Sequence, residues 1–179
     1  MQELKNRKTP RYQGFDYNSV GMYFITICTK DRKPILSKVG TGVLDCPQIQ
    51  LTRMGEIVDK YIKQLDGFYE YMSVESYVIM PNHIHILLWI KANAEDVGQS
   101  GTPVPTRSER ANSLCSQFVS TLKRFANKEY GENIWQARFY DHIIRNQRDY
   151  EEHMKYIYEN PIRWNIDELY TKTDNDIVL

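Results

Sequence analysis

The chain has 179 residues, enough for one domain with a sizeable core, and its 23 Lys and Arg balance its 23 Asp and Glu. That neutrality argues neither for nor against a polyanionic partner, and no apolar run approaches the ~20 residues of a membrane-spanning helix, so no membrane association is expected. Cys28, Cys46 and Cys115 are far apart and form no CxxC pair, which argues against a disulfide framework or a zinc knuckle; with a polar start that lacks a signal-peptide pattern, this predicts a reducing, cytoplasmic setting.

Charge is unevenly distributed. Lys5, Arg7, Lys8 and Arg11 crowd the first dozen residues, and a second basic region runs from Arg107 to Arg148. Aromatics such as Tyr12, Phe125, Tyr130, Trp135, Phe139 and Tyr140 lie among or near them. Cations beside aromatic platforms are what single-stranded nucleic acid binding uses, although a solvated surface over core aromatics has the same composition.

In chain order, residues 1–21 read as a basic arm. Met22 to Thr29 has strand composition, Asp31 to Pro34 is a turn, and Ile35–Val39 with Val43–Leu51 suggest a hairpin. Thr52 caps a predicted helix to about Leu65, with Gly67 as its terminator. Tyr69 to Met80 alternates as a second long strand. It passes through Pro81-Asn82 into His83–Ile90, so the two are expected to pair as a hairpin. Residues 92–106, rich in Gly, Pro and small polar residues, read as an exposed linker. Ser108 to Tyr130 is the longest predicted helix, with Leu114, Phe118, Leu122 and Phe125 as its apolar stripe. Ile134 to Ile144 is ambiguous. Asn146 caps a last helix that Pro161 ends, and residues 162–179 read as a tail. The order predicts a single α+β domain over 1–179, an antiparallel sheet with helices packed on one face.

The strand His83–Ile90 carries the first chemical signal. A period of two puts His83, His85, Leu87 and Trp89 on one face and Ile84, Ile86, Leu88 and Ile90 on the other. Two neighbouring imidazoles read equally as hydrogen-bonded core residues or as metal ligands. In the last helix, Asp149, His153, Tyr156 and Asn160 share one stripe beside an apolar one. If that helix packs on the histidine face, Asn160 adds an oxygen to two imidazole nitrogens, a set that suits Mg²⁺ or Mn²⁺. Tyr156, one turn earlier, would be a nucleophile toward a phosphodiester, with His153 assisting.

MPNHIHILL, followed by IWQARFYDHIIRNQRDYEEHMKYIYENP, resembles the REP-associated tyrosine transposases, single-tyrosine members of the HUH (His, hydrophobic residue, His) class. RYQGFDYNSVGMYFITICTKDRKPIL is similar to the same family, so the resemblance covers nearly the whole chain. It implies a ferredoxin-like sheet, a divalent metal held by His83, His85 and Asn160, and Tyr156 as nucleophile. The implied activity is metal-dependent endonuclease and strand transfer on single-stranded DNA next to hairpin repeats, through a 5′-phosphotyrosine. No small-molecule cofactor is expected, and a monomer is favoured over a homodimer. The segment 92–106 departs from the family pattern.

Other assignments compete. Tyr158 is expected on the surface and Tyr150 in the core, while Tyr140, beside Asp141 and His142, remains a rival nucleophile. Lys123 and Arg124 are the first candidates for DNA contact. Arg145 and Arg148 read equally as phosphate contacts or as a solvated helix start. Two other functions fit the same fold: a DNA-hairpin-binding protein without cleavage, and a hydrolase of small phosphoesters that uses water. A Tyr156→Phe substitution separates them, because only a phosphotyrosine enzyme loses cleavage.

Overall fold

The computed structural model describes residues 20–40, 47–91 and 113–170. Most of the basic arm, all of the 92–106 linker and the end of the expected tail therefore lie outside the described residues.

Strand β1 (Gly21–Cys28) leads through a short 3₁₀ turn to the ribbon β2 (Ser37–Gly40) and β3 (Gln48–Leu51). Helix α1 (Arg53–Phe68), strands β4 (Met72–Ile79) and β5 (His83–Ile90), helix α2 (Leu114–Tyr130), strand β6 (Tyr140–Ile144) and helix α3 (Gln147–Glu159) follow. The main sheet has the order β4-β5-β1-β6 and all its pairs are antiparallel. With α1 between β1 and β4 and α2 between β5 and β6, this is the ferredoxin-like βαββαβ arrangement, so the class expected from the sequence is the class found.

Alternation along β1 and β5 divides the sheet into two unequal cores. Tyr23, Ile25 and Ile27 meet Ile84, Ile86, Leu88 and Ile90 on the face covered by α1 and α2, which bring Ile57, Val58, Ile62, Phe118, Val119 and Leu122. Burying a side chain of this size stabilises by roughly 1.5–3 kcal/mol, so this face holds the fold together. The opposite face is smaller: Phe24, Val78, Met80 and Leu87 pack under Ile157 of α3 and Trp164. Two helices thus share one face as expected, and the third lies alone over the strand positions that carry the histidines.

Three local expectations change. Gly67 does not end α1; the helix continues through Phe68 and stops at Tyr69, whose backbone is extended. The ambiguous 134–144 region contains a single bridge, Trp135 to Thr29, and then β6, an edge strand whose half-exposed side chains blur the alternation. Residues 162–170 are not a simple tail, because they form a 3₁₀ turn (Trp164–Ile166) with Trp164 buried against His83 and Tyr170.

Candidate active site

His83 and His85 lie 0% and 3% exposed on the face of β5 that α3 covers. Their rings are 4.5 Å apart at 67°, so the two imidazole planes cross close to the pair. Each ring is held by one nitrogen. Asn82 Nδ2 donates to Leu169 O (2.7 Å), which turns Asn82 Oδ1 toward His83 Nδ1 at 2.8 Å. That oxygen only accepts, so His83 carries its proton on Nδ1 and presents a bare Nε2. His85 Nδ1 pairs with Thr26 Oγ1 at 2.9 Å across the β1–β5 register. Burial drives the His83 pKa down to about 4 and holds His85 well below its ordinary value, where the neighbouring His83 and His153 imidazoles add to the effect. Both rings are therefore neutral near pH 7, the form that ligates.

Helix α3 brings the rest. Asn146 caps it, its Oδ1 accepting from Asp149 N (3.0 Å), and Asn160 closes it. The Tyr156 ring stands 5.1 Å from His85 and 6.0 Å from Phe24. Tyr156 Oη and Asn160 Nδ2 both donate to Asp167 Oδ2 at 3.0 Å. Burial, and then the Asp167 charge, push the Tyr156 hydroxyl above its ordinary range, so it is protonated at neutral pH.

His83 Nε2, His85 Nε2 and Asn160 Oδ1 are buried with no hydrogen-bond partner among the described residues. Each such atom costs about 1–3 kcal/mol when left unpaired, so three in one site point to a ligand rather than to faults in packing. Two imidazole nitrogens and an amide oxygen fit a divalent ion of the Mg²⁺, Mn²⁺ or Zn²⁺ type. A second group, His142, Asp149 and His153, also brings ligand-type atoms within 4.8 Å of one another. Its two rings are stacked 4.6 Å apart and only 15° from parallel, so no nearby point lies in both ring planes. That geometry suits hydrogen bonding. His142 Nε2 lies 3.0 Å from both Asp149 carboxylate oxygens, and His153 Nδ1 donates to Asp149 O at 2.8 Å. The bond to a carbonyl leaves His153 Nε2 bare in the neutral ring, and His153 lines a cavity of about 590 Å³ with Tyr156, His85, Thr26 and Arg32.

No family model matches the chain. An uncharacterised Haemophilus influenzae protein is 29% identical over 177 residues, 93% of this chain and 94% of that relative. A second H. influenzae protein, assigned as a REP-associated tyrosine transposase, is 30% identical over 150 residues, 83% of this chain and 74% of its own length. This chain belongs to the REP-associated tyrosine transposase family. The Escherichia coli K12 REP-associated tyrosine transposase is 30% identical over 90 residues, half of this chain and 44% of that one. A solved REP-associated tyrosine transposase bound to a REP hairpin shares the fold, with a TM-score of 0.58 at 22% identity over 86% of this chain and 73% of that one.

Within this transposase chain, the residues singled out from the sequence divide into two sets. His83, His85, Tyr156, Asn160 and His153 come together. The four basic candidates lie elsewhere. Lys123 Nζ is spent on Gln136 O (2.7 Å) and Arg138 O (3.3 Å), and burial lowers its pKa to about 8. Arg124 lies over the Phe125 ring at 5.1 Å on α2, which packs on the other face of the sheet. Arg148 pairs with Glu152 at 2.9 Å on the exposed start of α3, about 12 Å along the axis from Tyr156, and Arg145 precedes it. Among the tyrosines, Tyr158 is 77% exposed and Tyr150 is part-buried, its hydroxyl 3.3 Å from Glu75. Tyr140 lines the cavity itself. Sequence reasoning missed Asp167, Asn82, Thr26 and Arg32. Only Asn82, beside the histidine pair, had a local signal. No helix among the described residues is long and apolar enough to cross a membrane.

Proposed function

We propose that this transposase nicks and rejoins single-stranded DNA beside hairpin repeats through a phosphotyrosine on Tyr156. The observation that carries the reading is the set of three buried, unpartnered ligand atoms on His83, His85 and Asn160 beside that hydroxyl. These three residues would hold Mg²⁺ or Mn²⁺. When bound, such an ion polarises the phosphoryl oxygen and favours departure of the leaving group.

The chain's own groups do the rest. Tyr156 Oη attacks the phosphorus, the bond to the 3′ oxygen breaks, and the phenolic proton passes to a base at the site. The 3′ oxygen takes up a proton and leaves as a hydroxyl. The 5′-phosphotyrosine keeps the energy of the broken bond for rejoining. His153, which lines the same cavity as Tyr156 and has its Nδ1 fixed on Asp149 O, is the imidazole left for proton transfer, because His83 and His85 would be committed to the metal. Arg32, which lines the same cavity, adds a guanidinium for a phosphate.

The test uses labelled single strands from hairpin repeats flanking the gene, incubated with Mn²⁺ or Mg²⁺ and resolved on a denaturing gel. Wild type should give a band at protein-plus-DNA mass. Tyr156→Phe and the His83→Ala/His85→Ala double variant should give none, and Tyr140→Phe should match wild type. Hairpin binding without an adduct in either metal would favour a binding protein. Cleavage that survives Tyr156→Phe would favour a hydrolase using water.

A further inference from the structure

We infer that Asp167 is a positioning residue for both the nucleophile and the third ligand, and that residues 167–169 tie them to the histidine strand. This rests on the proposed roles of Tyr156 and Asn160. One carboxylate oxygen, Asp167 Oδ2, accepts from Tyr156 Oη and from Asn160 Nδ2, each at 3.0 Å. An amide held by its nitrogen has its oxygen aimed by the same bond, and Asn160 Oδ1 is the buried atom left without a partner. Tyr156 and Asn160 are one turn apart on α3, so a single acceptor sets both side chains against one fixed point.

That point is itself fixed. Asp167 Oδ1 accepts from Leu169 N at 2.7 Å, and Asp167 O accepts from Tyr170 N at 2.9 Å, which locks the turn. Leu169 O then accepts from Asn82 Nδ2, and Asn82 Oδ1 holds His83 Nδ1. A continuous chain of hydrogen bonds therefore runs from the nucleophile and the Asn160 amide, through the 167–169 turn, to the first histidine. Trp164, just before the turn, packs on His83 at 5.9 Å and on Tyr170 at 5.3 Å. Outer hydrogen-bond partners of this kind orient metal ligands, and their loss typically lowers metal affinity about 10–100-fold.

The experiment measures Mn²⁺ affinity by calorimetry, hairpin-DNA affinity and the rate of adduct formation for the full chain and for Asp167→Asn and Asp167→Ala. The Asn variant is isosteric and keeps one acceptor oxygen, so it guards against a folding defect, which melting curves would expose. Mn²⁺ affinity and adduct rate should each fall at least tenfold in Asp167→Ala and less in Asp167→Asn, with hairpin affinity within twofold of wild type. Tyr156→Phe should keep Mn²⁺ affinity within twofold, because Asp167 still holds Asn160. Wild-type Mn²⁺ affinity and adduct rate in Asp167→Ala would overturn the inference. So would a faster adduct in either variant, since the carboxylate would then restrain the hydroxyl. Equal Mn²⁺ binding by wild type and the His83→Ala/His85→Ala variant would instead refute the metal site and this inference with it.

Discussion

His83 and His85 stay neutral because β5 and α3 bury them, and that neutrality has a cost in acid. An unfolded histidine titrates near ~6.5, whereas His83 in the fold titrates at about 4 and His85 is likewise depressed. Between those values the unfolded chain binds protons that the folded chain refuses. Their contribution is therefore whole above pH ~6.5 and is lost as pH falls toward 4. Chelator-treated protein should melt several degrees lower at pH 5 than at pH 7, and a His83→Gln variant should show a shallower dependence. Thr26 acts on the same ring from β1. Thr26→Val keeps the side-chain shape but removes the hydroxyl that pairs with His85 Nδ1. Mn²⁺ affinity should fall about tenfold or more by calorimetry, and the melting temperature should drop by several degrees, because a buried ring nitrogen loses its partner.

Helix α1 contains two glycines with opposite expectations. At Gly55 an added Cβ would lie 2.0 Å from Leu36 O, because the chain before β2 crosses the first turn of the helix there. Backbone must move, so Gly55→Ala should destabilise by about 1–3 kcal/mol despite the better helix propensity of Ala. At Gly67 nothing lies within 4 Å, and the residue is helical. Gly67→Ala should stabilise by about 0.5–1 kcal/mol. Thermal melts read both, at roughly 2–4 °C per kcal/mol for a chain of this size. Gly131 is a third case: its φ of 99° caps α2 in the left-handed region that favours glycine.

The molecule is built unequally about its sheet. One face carries the large core under α1 and α2, and the other carries a small cluster under α3, whose only buried residue is Ile157. The element that bears Tyr156 is therefore among the least firmly held. Native-state hydrogen exchange should show α3 amides opening at lower free energy than those of β1 and β5, and Ile157→Ala should widen that gap. Equal protection in all three would mean that α3 opens only with the whole fold. A helix that yields in this way would suit the proposed role of Tyr156, which would have to follow a DNA strand through cleavage and rejoining.

Much of the frame was legible in the residues themselves. The period of two in His83–Ile90 placed both imidazoles on one face. Asn146 and Pro161 marked the ends of α3, and the four-residue step put Tyr156 and Asn160 on one stripe. These are local properties, set by the backbone repeat of a few neighbouring residues. The partners were not legible. Thr26 meets His85 across 59 residues, and Asn82 meets Leu169 across 87. Asp167 lay in a polar stretch that read as a tail, and Lys123 looked like a surface cation until its amine was found on two carbonyls. Such pairs are decided by strand register, by the face on which a helix docks and by where the chain folds back, and none of these leaves a period in the sequence. The sequence by itself determined which residues could carry the chemistry; the tertiary structure decided which groups hold them in place, because hydrogen bonds between distant segments exist only after the sheet and helices have packed.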